Sequence, residues 1–311
     1  MTKIAVLIPC FNEELTIAKV IDDHKRALPK ADIYVYDNNS TDQTAAIARR
    51  HGATTRSEPR QGKGNVARSM FHDIDADVYY MVDGDDTYPA EKAPELIQLI
   101  ADGKADMAIG DRLSSTYFTE NKRFGHSFGN KLVRFMINKL FKANVRDIMT
   151  GQRAFSYEFV KTYPVLAKGF EIETDMTIHA LDKNLLLLEA PIEYRNRPEG
   201  SVSKLDTTKD GVRVLWTIFN LVREYKPLLF FTIFSLIFFM AAVVAGAPII
   251  DQMARGEIVV RVPTIIGVFI LIVISILLFI AGLILDLIVK KNKQTFEMNR
   301  NLIKTLRRDD K

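Results

Sequence analysis

Two long stretches without a charged residue constrain this chain more than any other feature of its sequence. Residues 227–250 and residues 262–285 contain no Asp, Glu, Lys or Arg, and each stretch is 24 residues long. A helix of that length extends about 36 Å, enough to cross a hydrocarbon core of about 30 Å. Buried helices of a soluble protein are the alternative, but such helices rarely lack a polar face over this distance. We therefore predict a transmembrane hairpin over 227–289, with helices at about 228–249 and 263–287.

The charges that flank these stretches predict their orientation. Basic residues are frequent just before the first stretch and after the second, whereas the connecting loop carries only Arg255 and Arg261. The positive-inside rule then predicts a multi-pass protein of the inner or plasma membrane, with both termini in the cytoplasm. The net charge of +4 is modest, and the basic residues cluster near the predicted membrane. An anionic lipid surface is therefore the expected partner, and nucleic acid is not.

The N-terminal 200 residues alternate between strand-like and helix-like patterns. Apolar strand patterns occur at KIAVLIP (3–9), DIYVYD (32–37), DVYYMVD (77–83) and ADMAIG (105–110), with helix-like segments between them. Such alternation is typical of an α/β protein with a mainly parallel sheet, whose ligands bind at the carboxyl ends of the strands. We predict a cytoplasmic catalytic domain over 1–204, amphipathic interface helices over 205–226 and a basic cytoplasmic tail over 290–311. Gly246 and Pro248 predict that the first membrane helix frays before its uncharged stretch ends.

Six short motifs follow one another along the predicted catalytic domain and its end. They are PCFNEE (9–14), DNNSTDQT (37–44), RQGKGNV (60–66), VDGDDTYP (82–89), DIMTGQRAFS (147–156) and RPEGSVSKL (197–205). In this order and spacing they resemble a family 2 glycosyltransferase with the GT-A fold, a Rossmann-like mainly parallel sheet. With two C-terminal membrane helices, the whole chain is similar to polyprenyl-phosphate glycosyltransferases, such as dolichol-phosphate mannose synthase and the undecaprenyl-phosphate glucosyltransferases of bacteria.

The resemblance implies an inverting, metal-dependent transfer of one sugar from a nucleotide sugar to a polyprenyl phosphate at the cytoplasmic membrane face. The two-span form is more similar to bacterial enzymes that use a UDP-sugar and undecaprenyl phosphate than to GDP-mannose-dependent mannose synthases, which stay open as the alternative. It also implies a homo-oligomer, a tetramer in some relatives. Three further alternatives are a transferase acting on another lipid, a processive polysaccharide synthase and an inactive membrane scaffold that binds nucleotide sugars.

The acidic motif DGDD follows an apolar strand and suits a metal site. A nucleotide diphosphate leaving group accumulates negative charge, which a hard cation held by one or two carboxylates neutralises. A plain polar turn is the alternative reading of these residues. By resemblance Asp85 is the principal ligand of Mg²⁺ or Mn²⁺, Asp83 lies nearer the ribose or sugar, and Thr87 touches the ion. Asp86 has no matching role and is expected to cap the turn or face solvent.

The donor site is assigned by resemblance, with one physical argument for its lysine. Lys63 lies between Gly62 and Gly64 ahead of a helix, where glycines can let a phosphate approach closely; an exposed loop lysine is the alternative. The remaining candidates contact the nucleoside, sugar or diphosphate in the family: Pro9, Phe11, Glu13, Asp37, Asp83, Gly84 and Lys204.

The acceptor site is expected on the loop and helix that follow GDR (110–112). By resemblance Arg112, Arg123 and Ser127 bind the phosphate of the lipid acceptor, although a solvated basic surface would look the same. Asp147 is the position where relatives have a candidate base. A phosphate monoester has a second pKa near 6, so the acceptor is already a nucleophile at neutral pH. We therefore expect Asp147 to hold the site rather than to remove a proton. The catalytic candidates are Asp85, Arg112, Arg123 and Asp147.

Overall fold

The computed structural model describes residues 2–114, 126–169, 171–195, 210–256 and 262–309. The chain divides into two compact units. The first contains Met1–Lys209 together with Met298–Lys311, and the second contains Asp210–Glu297. The C-terminal residues therefore belong to the same unit as the N-terminal domain, although the second unit separates them in sequence.

A mainly parallel sheet forms the centre of the first unit. In the described part it has seven strands in the order β3-β2-β1-β4-β6-β5-β7, and only β6 runs antiparallel to its neighbours. The predicted α/β class and GT-A type of sheet are confirmed. The strands are β1 (Ile4–Cys10), β2 (Asp32–Asp37), β3 (Thr54–Ser57), β4 (Val78–Met81), β5 (Met107–Asp111), β6 (Arg153–Ser156) and β7 (Leu187–Pro191).

Helices connect these strands and cover the sheet. Helix α1 shows the pattern that causes this packing, because Ile17, Val20, Ile21 and His24 recur at helical spacing and are all buried. The helices of this unit are α1 (Ile17–Ala27), α2 (Thr44–Arg50), α3 (Lys63–Asp73), α4 (Ala93–Ala101), α5 (His126–Phe141), α6 (Tyr157–Thr162) and α7 (Ile172–Asp182).

The central strands explain why this unit is stable. Ala5, Val6, Leu7 and Ile8 of β1 have no exposed surface, because helices cover both faces of a parallel sheet. Burying each of the larger side chains contributes roughly 1.5–3 kcal/mol relative to leaving it in water. The strand is thus a rigid base for the polar residues that follow its carboxyl end.

The second unit consists of one amphipathic helix and two long apolar helices. They are α8 (Asp210–Tyr225), α9 (Pro227–Ala254) and α10 (Val262–Asp309), the last of which ends in the first unit. Helices α9 and α10 are long and apolar enough to cross a membrane, as predicted. Ser235 and Ser275 join them, each hydroxyl donating to the other residue's carbonyl oxygen at 2.9 Å. The amphipathic stretch before the first span is helical, as expected.

One expectation about these helices was wrong. Helix α9 does not fray at Gly246 and Pro248 but continues to Ala254 with Pro248 inside it. In apolar surroundings the backbone can satisfy its polar groups only within the helix, which favours continuation over fraying. Helix α10 continues through most of the predicted basic tail and ends at Asp309.

The end of helix α10 is bound to the first unit by two arginines. Arg300 donates to both carboxylate oxygens of Asp106, at 2.8 and 3.0 Å. Arg307 forms an ion pair with Asp77, and its guanidinium lies 4.1 Å from the centre of the Tyr157 ring. Asp77 and Asp106 precede β4 and β5, so the helix end contacts the edge of the sheet where these parallel strands begin.

Candidate functional site

Sheet topology brings most of the predicted site residues to one edge. Strands β1, β2 and β4 are parallel, so the loops that follow them share the carboxyl edge of the sheet. Strand β6 runs the opposite way, with Arg153 opposite Met81, so it begins at this same edge. The motif DIMTGQ therefore reaches the loops PCFNE, DNNSTD and DGDD, although 60 or more residues separate it from each of them in sequence.

The loops after β1 and β2 are held together by side chain to backbone hydrogen bonds. The amide of Asn12 donates to the Ser40 hydroxyl at 2.9 Å, and the Asn12 side chain accepts from the Thr41 amide at 2.8 Å. The Glu13 amide donates to the Thr44 hydroxyl at 2.8 Å. These bonds make one continuous wall from two motifs. The donor candidates Pro9 (buried) and Phe11 (half-buried) belong to it with Glu13.

Asp37 has a buried carboxylate oxygen that suits a ligand. The side chain is 8% exposed, and its Oδ2 accepts from the Ser40 amide at 3.2 Å. Its Oδ1 is buried and has no hydrogen-bond partner within the described residues. Buried carboxylate oxygens are nearly always hydrogen-bonded in proteins. The geometry fits the predicted contact with a hydroxyl or N–H donor of a nucleoside.

The DGDD loop separates its three carboxylates. Asp85 is 3% exposed, and its Oδ1 accepts from the Thr87 hydroxyl at 2.6 Å. Gly84 is buried, with its carbonyl accepting from Thr16 at 2.6 Å. Asp86 instead pairs with Lys19 at 2.7 Å, which agrees with its having no predicted role in the site. Asp85 and Thr87 are thus neighbours, as the resemblance implies.

Lys63 is buried and paired rather than exposed on a loop. Its Nζ donates to Asp83 at 2.5 Å and also to Glu173 on α7. Burial lowers the pKa of Lys63, but the charges of Asp83 and Glu173 outweigh this effect and raise it above the ordinary value. The lysine therefore stays protonated and links the DGDD loop to α7.

The glycines beside Lys63 serve a different purpose from the one expected. Gly62 has a φ of 125°, and a Cβ there would lie 2.2 Å from the carbonyl oxygen of Lys168. A Cβ on Gly64 would lie 2.1 Å from the carbonyl oxygen of Ala167. The expectation that these glycines make room for a phosphate is therefore not supported. They make room for the chain at residues 167–168, which covers this loop.

Arg112 and Asp147 form a bidentate ion pair on the acceptor side, in which Asp147 is buried and the Arg112 side chain is 18% exposed. Arg112 Nε donates to Asp147 Oδ2 at 2.7 Å and Nη2 donates to Oδ1 at 3.1 Å. Asp147 also accepts from the Arg112 and Met149 amides, at 3.3 and 3.2 Å. Because both carboxylate oxygens accept hydrogen bonds from a cation, the geometry suits a positioning role better than that of a free base.

Two tyrosines connect this ion pair to the DGDD loop, and the sequence motifs did not predict their role. The Tyr88 hydroxyl accepts from Arg112 at 3.3 Å and from the Gly151 amide at 2.8 Å. Tyr194 packs edge-on against Tyr88, and Arg112 lies over its ring at 5.5 Å. Tyr88 is within the quoted motif VDGDDTYP, so its position was visible, whereas Tyr194 lies in no motif.

Gly151 lets the DIMTG loop approach the DGDD loop. A Cβ at this position would lie 2.3 Å from Asp83 Oδ2. Any side chain here would displace Asp83, so the two halves of the site can meet only if this residue is glycine.

Arg153 is a further residue whose role was not predicted from the sequence. It is fully buried and donates to the carbonyl oxygens of Thr150 and Ile148, at 2.9 and 2.6 Å, and to the Thr177 hydroxyl at 2.9 Å. Burial lowers the pKa of Arg153, although the guanidinium remains a cation. It fixes the loop that carries Asp147 against helix α7.

For three of the predicted acceptor and donor residues, the structure describes no side-chain contacts. Arg123 and Lys204 lie outside the described residues, and of Ser127 only its backbone position in α5 is described. Their assignments stay predictions.

The donor set at the DGDD loop fits a hard divalent cation. Within the described residues, no group of three or more His, Cys, Asp or Glu side chains could hold a metal alone. Asp85, Asp83 and the Thr87 hydroxyl supply oxygen atoms only, which Mg²⁺ and Mn²⁺ prefer. Such ions commonly take few protein ligands and complete their shell with substrate phosphates and water. The residues present therefore fit a metal that binds together with a nucleotide diphosphate.

A mainly parallel sheet with carboxylates and a buried lysine at its ligand edge is an arrangement of the GT-A type. The profile described as "Glycosyl transferase family 2" matches residues 5–163, and the chain belongs to this family. It is a glycosyltransferase, as the sequence predicted.

Relatives of known sequence agree with this family, two of them over more than two thirds of the chain. "Glycosyltransferase AglJ" of Haloferax volcanii is 32% identical over 73% of this chain and 75% of that protein. "Dolichyl-phosphate hexose transferase" of the same organism is 30% identical over 72% of this chain and 95% of that protein. "Protein RfbJ" of Shigella flexneri is 59% identical, over 35% of this chain and 84% of its own length.

Solved structures share the fold. Glucosyl-3-phosphoglycerate synthase from Mycobacterium tuberculosis in complex with UDP matches with a TM-score of 0.54 and 21% identity, over 71% of this chain and 79% of that one. The same enzyme in complex with Mn²⁺, UDP-glucose and phosphoglyceric acid matches with a TM-score of 0.51 and 24% identity, over 63% and 73% of the two chains.

Proposed function

We propose that this protein transfers a single sugar from a nucleotide sugar to a polyprenyl phosphate at the cytoplasmic face of a membrane, with inversion at the sugar carbon. The observation that carries the proposal is the buried Arg112–Asp147 pair at the same sheet edge as Asp83 and Asp85. A cation held in place there suits a phosphate acceptor. The similarity to a dolichyl-phosphate hexose transferase supports this choice of acceptor.

The reaction is a direct displacement. An oxygen of the acceptor phosphate attacks the anomeric carbon while the bond to the nucleotide diphosphate breaks, and one such step inverts the configuration. Asp85, with Asp83 and Thr87, would hold Mg²⁺ or Mn²⁺, and the ion would neutralise charge on the departing diphosphate. Asp37 binds the nucleoside, and Lys63 positions Asp83 through the ion pair between them.

The acceptor needs no general base on this proposal. A polyprenyl phosphate is mostly dianionic above its second pKa of about 6. Arg112 orients it, and Asp147 fixes Arg112 in the required direction. Arg123 and Ser127 are the further phosphate contacts proposed by resemblance, and Lys204 is a proposed contact of the diphosphate.

The donor is proposed to be a UDP-sugar, and the protein to be a multi-pass protein with both termini in the cytoplasm. The fold relative that binds Mn²⁺ and UDP-glucose supports the donor and metal. The sparse basic residues of the loop between α9 and α10 support the orientation. We also propose that the protein forms a homo-oligomer, and we expect a tetramer.

The decisive experiment supplies purified full-length protein with undecaprenyl phosphate, Mg²⁺ or Mn²⁺, and a panel of radiolabelled UDP- and GDP-sugars. We expect label to enter the organic phase with one UDP-sugar only, and to require the metal. Asp85→Asn should abolish the transfer, whereas Asp86→Asn, a matched change one residue away, should retain it.

Other outcomes would replace the proposal with a named alternative. Labelling from GDP-mannose would identify a mannose synthase. Labelling of diacylglycerol, undiminished by Arg112→Glu, would identify a transferase acting on another lipid. Binding of nucleotide sugar without labelling of any acceptor would identify a scaffold.

A further inference from the structure

A basic pocket lies in the first unit, beside the acceptor side of the site but not part of it. Its volume is about 500 Å³. Lys131 and Arg134 of α5 form one wall, and Arg146 with Leu113 forms the other. Among the described residues that line it, there is no Asp or Glu. The pocket therefore presents three cations to whatever enters it.

The charges of these cations are only partly neutralised by their surroundings. Arg146 has a side chain that is 67% exposed. Its guanidinium lies 4.0 Å from the Asp111 carboxylate, and its backbone amide donates to the Glu189 carboxylate at 2.9 and 3.0 Å. Arg134 donates to the Arg146 carbonyl oxygen at 3.1 Å, a neutral group. Lys131 is exposed, and it has no ion pair with any carboxylate in the described ranges. The local field thus favours an anion.

The same pocket exposes apolar groups. Phe135 is 57% exposed and Leu113 is 41% exposed, and both line the pocket. Lys139 lies over the Phe135 ring at 5.8 Å, on the same helix. An exposed aromatic ring beside cations suits a membrane interface, where the ring enters the acyl boundary and the cations meet headgroups.

The pocket is distinct from the proposed acceptor contact. The Arg112 side chain turns towards Asp147 and Tyr88, whereas the Arg146 side chain turns towards Ser114 and Asp111. Arg146 and Asp147 are consecutive in sequence, and they therefore make contacts on opposite sides of one loop.

We propose that this pocket binds the phosphate headgroup of an anionic membrane phospholipid that is not a substrate. Lys131, Arg134 and Arg146 contact the headgroup, and Phe135 inserts beside its acyl chains. The helix α5 would thereby become a membrane contact of the catalytic unit. The inference rests on the membrane character of the chain and not on the transfer reaction.

The test introduces the photoreactive residue p-benzoylphenylalanine at position 135 of the full-length protein. The protein is reconstituted in nanodiscs of phosphatidylcholine alone or of phosphatidylcholine with phosphatidylglycerol, then irradiated and analysed by mass spectrometry. We expect cross-links to phosphatidylglycerol in excess of its share of the lipid. Lys131→Glu should reduce that excess at least fivefold, because one positive charge at an anionic surface is worth about 1 kcal/mol and the glutamate adds a negative charge as well. Lys104→Glu, an equal charge change on an exposed lysine outside the pocket, should not reduce it.

Three results would overturn the proposal. The first is that no cross-links form, or that they form in proportion to bulk lipid and do not change with Lys131→Glu. Either outcome would show that the pocket is a solvated basic face. Millimolar inorganic phosphate removing the cross-link equally in both kinds of nanodisc would show a site for free phosphate. Sugar transfer, measured separately in phosphatidylcholine, should survive Lys131→Glu; its loss there would mean that the pocket holds the acceptor itself.

Discussion

Replacing Asp147 with asparagine separates a positioning role from that of a general base. In the wild-type protein both carboxylate oxygens accept hydrogen bonds from Arg112, and the residue is 3% exposed. Asparagine keeps one oxygen acceptor at nearly the same position but removes the charge. We expect Asp147→Asn to retain measurable transfer, with a rate that does not change with pH above about 7, where the acceptor phosphate is already dianionic.

The magnitude follows from the contacts. One charge-assisted hydrogen bond is worth about 1.5–3 kcal/mol, so kcat/KM for the acceptor should fall by roughly 10- to 150-fold. Breaking a buried ion pair costs about 3–5 kcal/mol of folding stability, out of a typical total of about 5–15. The variant should therefore fold, with a lower Tm, and its activity should be measured well below that temperature.

The assay is acceptor-dependent kcat/KM from pH 6 to 9 in the full-length protein. Arg112→Gln is the matched control, because it removes the other half of the pair. If the two residues act as a unit, the double variant should lose little more than either single variant. Complete loss in Asp147→Asn, with activity regained as the pH rises, would refute this reasoning and identify Asp147 as the base.

Three further predictions test the surroundings of the site. Burial lowers the pKa of His179 to about 4 against 6.5 when unfolded, so protonation favours the unfolded chain and stability falls as the pH drops from 6.5 towards 4. The free energy of unfolding should fall by about 3 kcal/mol over this pH range, and this fall should disappear in His179→Phe, as measured by denaturant unfolding at each pH. The same dependence on pH in both proteins would contradict the prediction. Arg153→Met should raise KM for the acceptor about tenfold and leave KM for the donor nearly unchanged, because the loop bearing Asp147 loses two hydrogen bonds to its carbonyl oxygens. An equal increase in KM for both substrates would argue against this prediction. Arg300→Asp should make the catalytic unit more sensitive to limited proteolysis, and adding Asp106→Arg should reverse this if their ion pair is the cause.

The architecture could be predicted because its causes are local. Strand-like apolar runs, helical spacing and long uncharged stretches each depend on a few neighbouring residues. The DGDD loop was predictable for the same reason, since Asp85 and Thr87 meet through a two-residue separation.

The contacts between distant residues could not be predicted. Lys63 and Glu173 are 110 positions apart, and nothing near either residue indicates that they meet. The glycines beside Lys63 illustrate the same limit. Their local sequence suggested a phosphate contact, whereas the chain at 167–168, about a hundred residues later, occupies the space. Arg153 looked like part of a motif, and only its burial shows that it holds a loop.

The bond between the end of helix α10 and the catalytic unit has a consequence for synthesis. Arg300 and Arg307 follow both apolar helices in the chain and are translated after them, yet they contact Asp106 and Asp77, which precede those helices. That domain cannot complete its contacts until both apolar helices have been translated. On the proposed topology, insertion into the membrane therefore comes before the catalytic domain reaches its final stability.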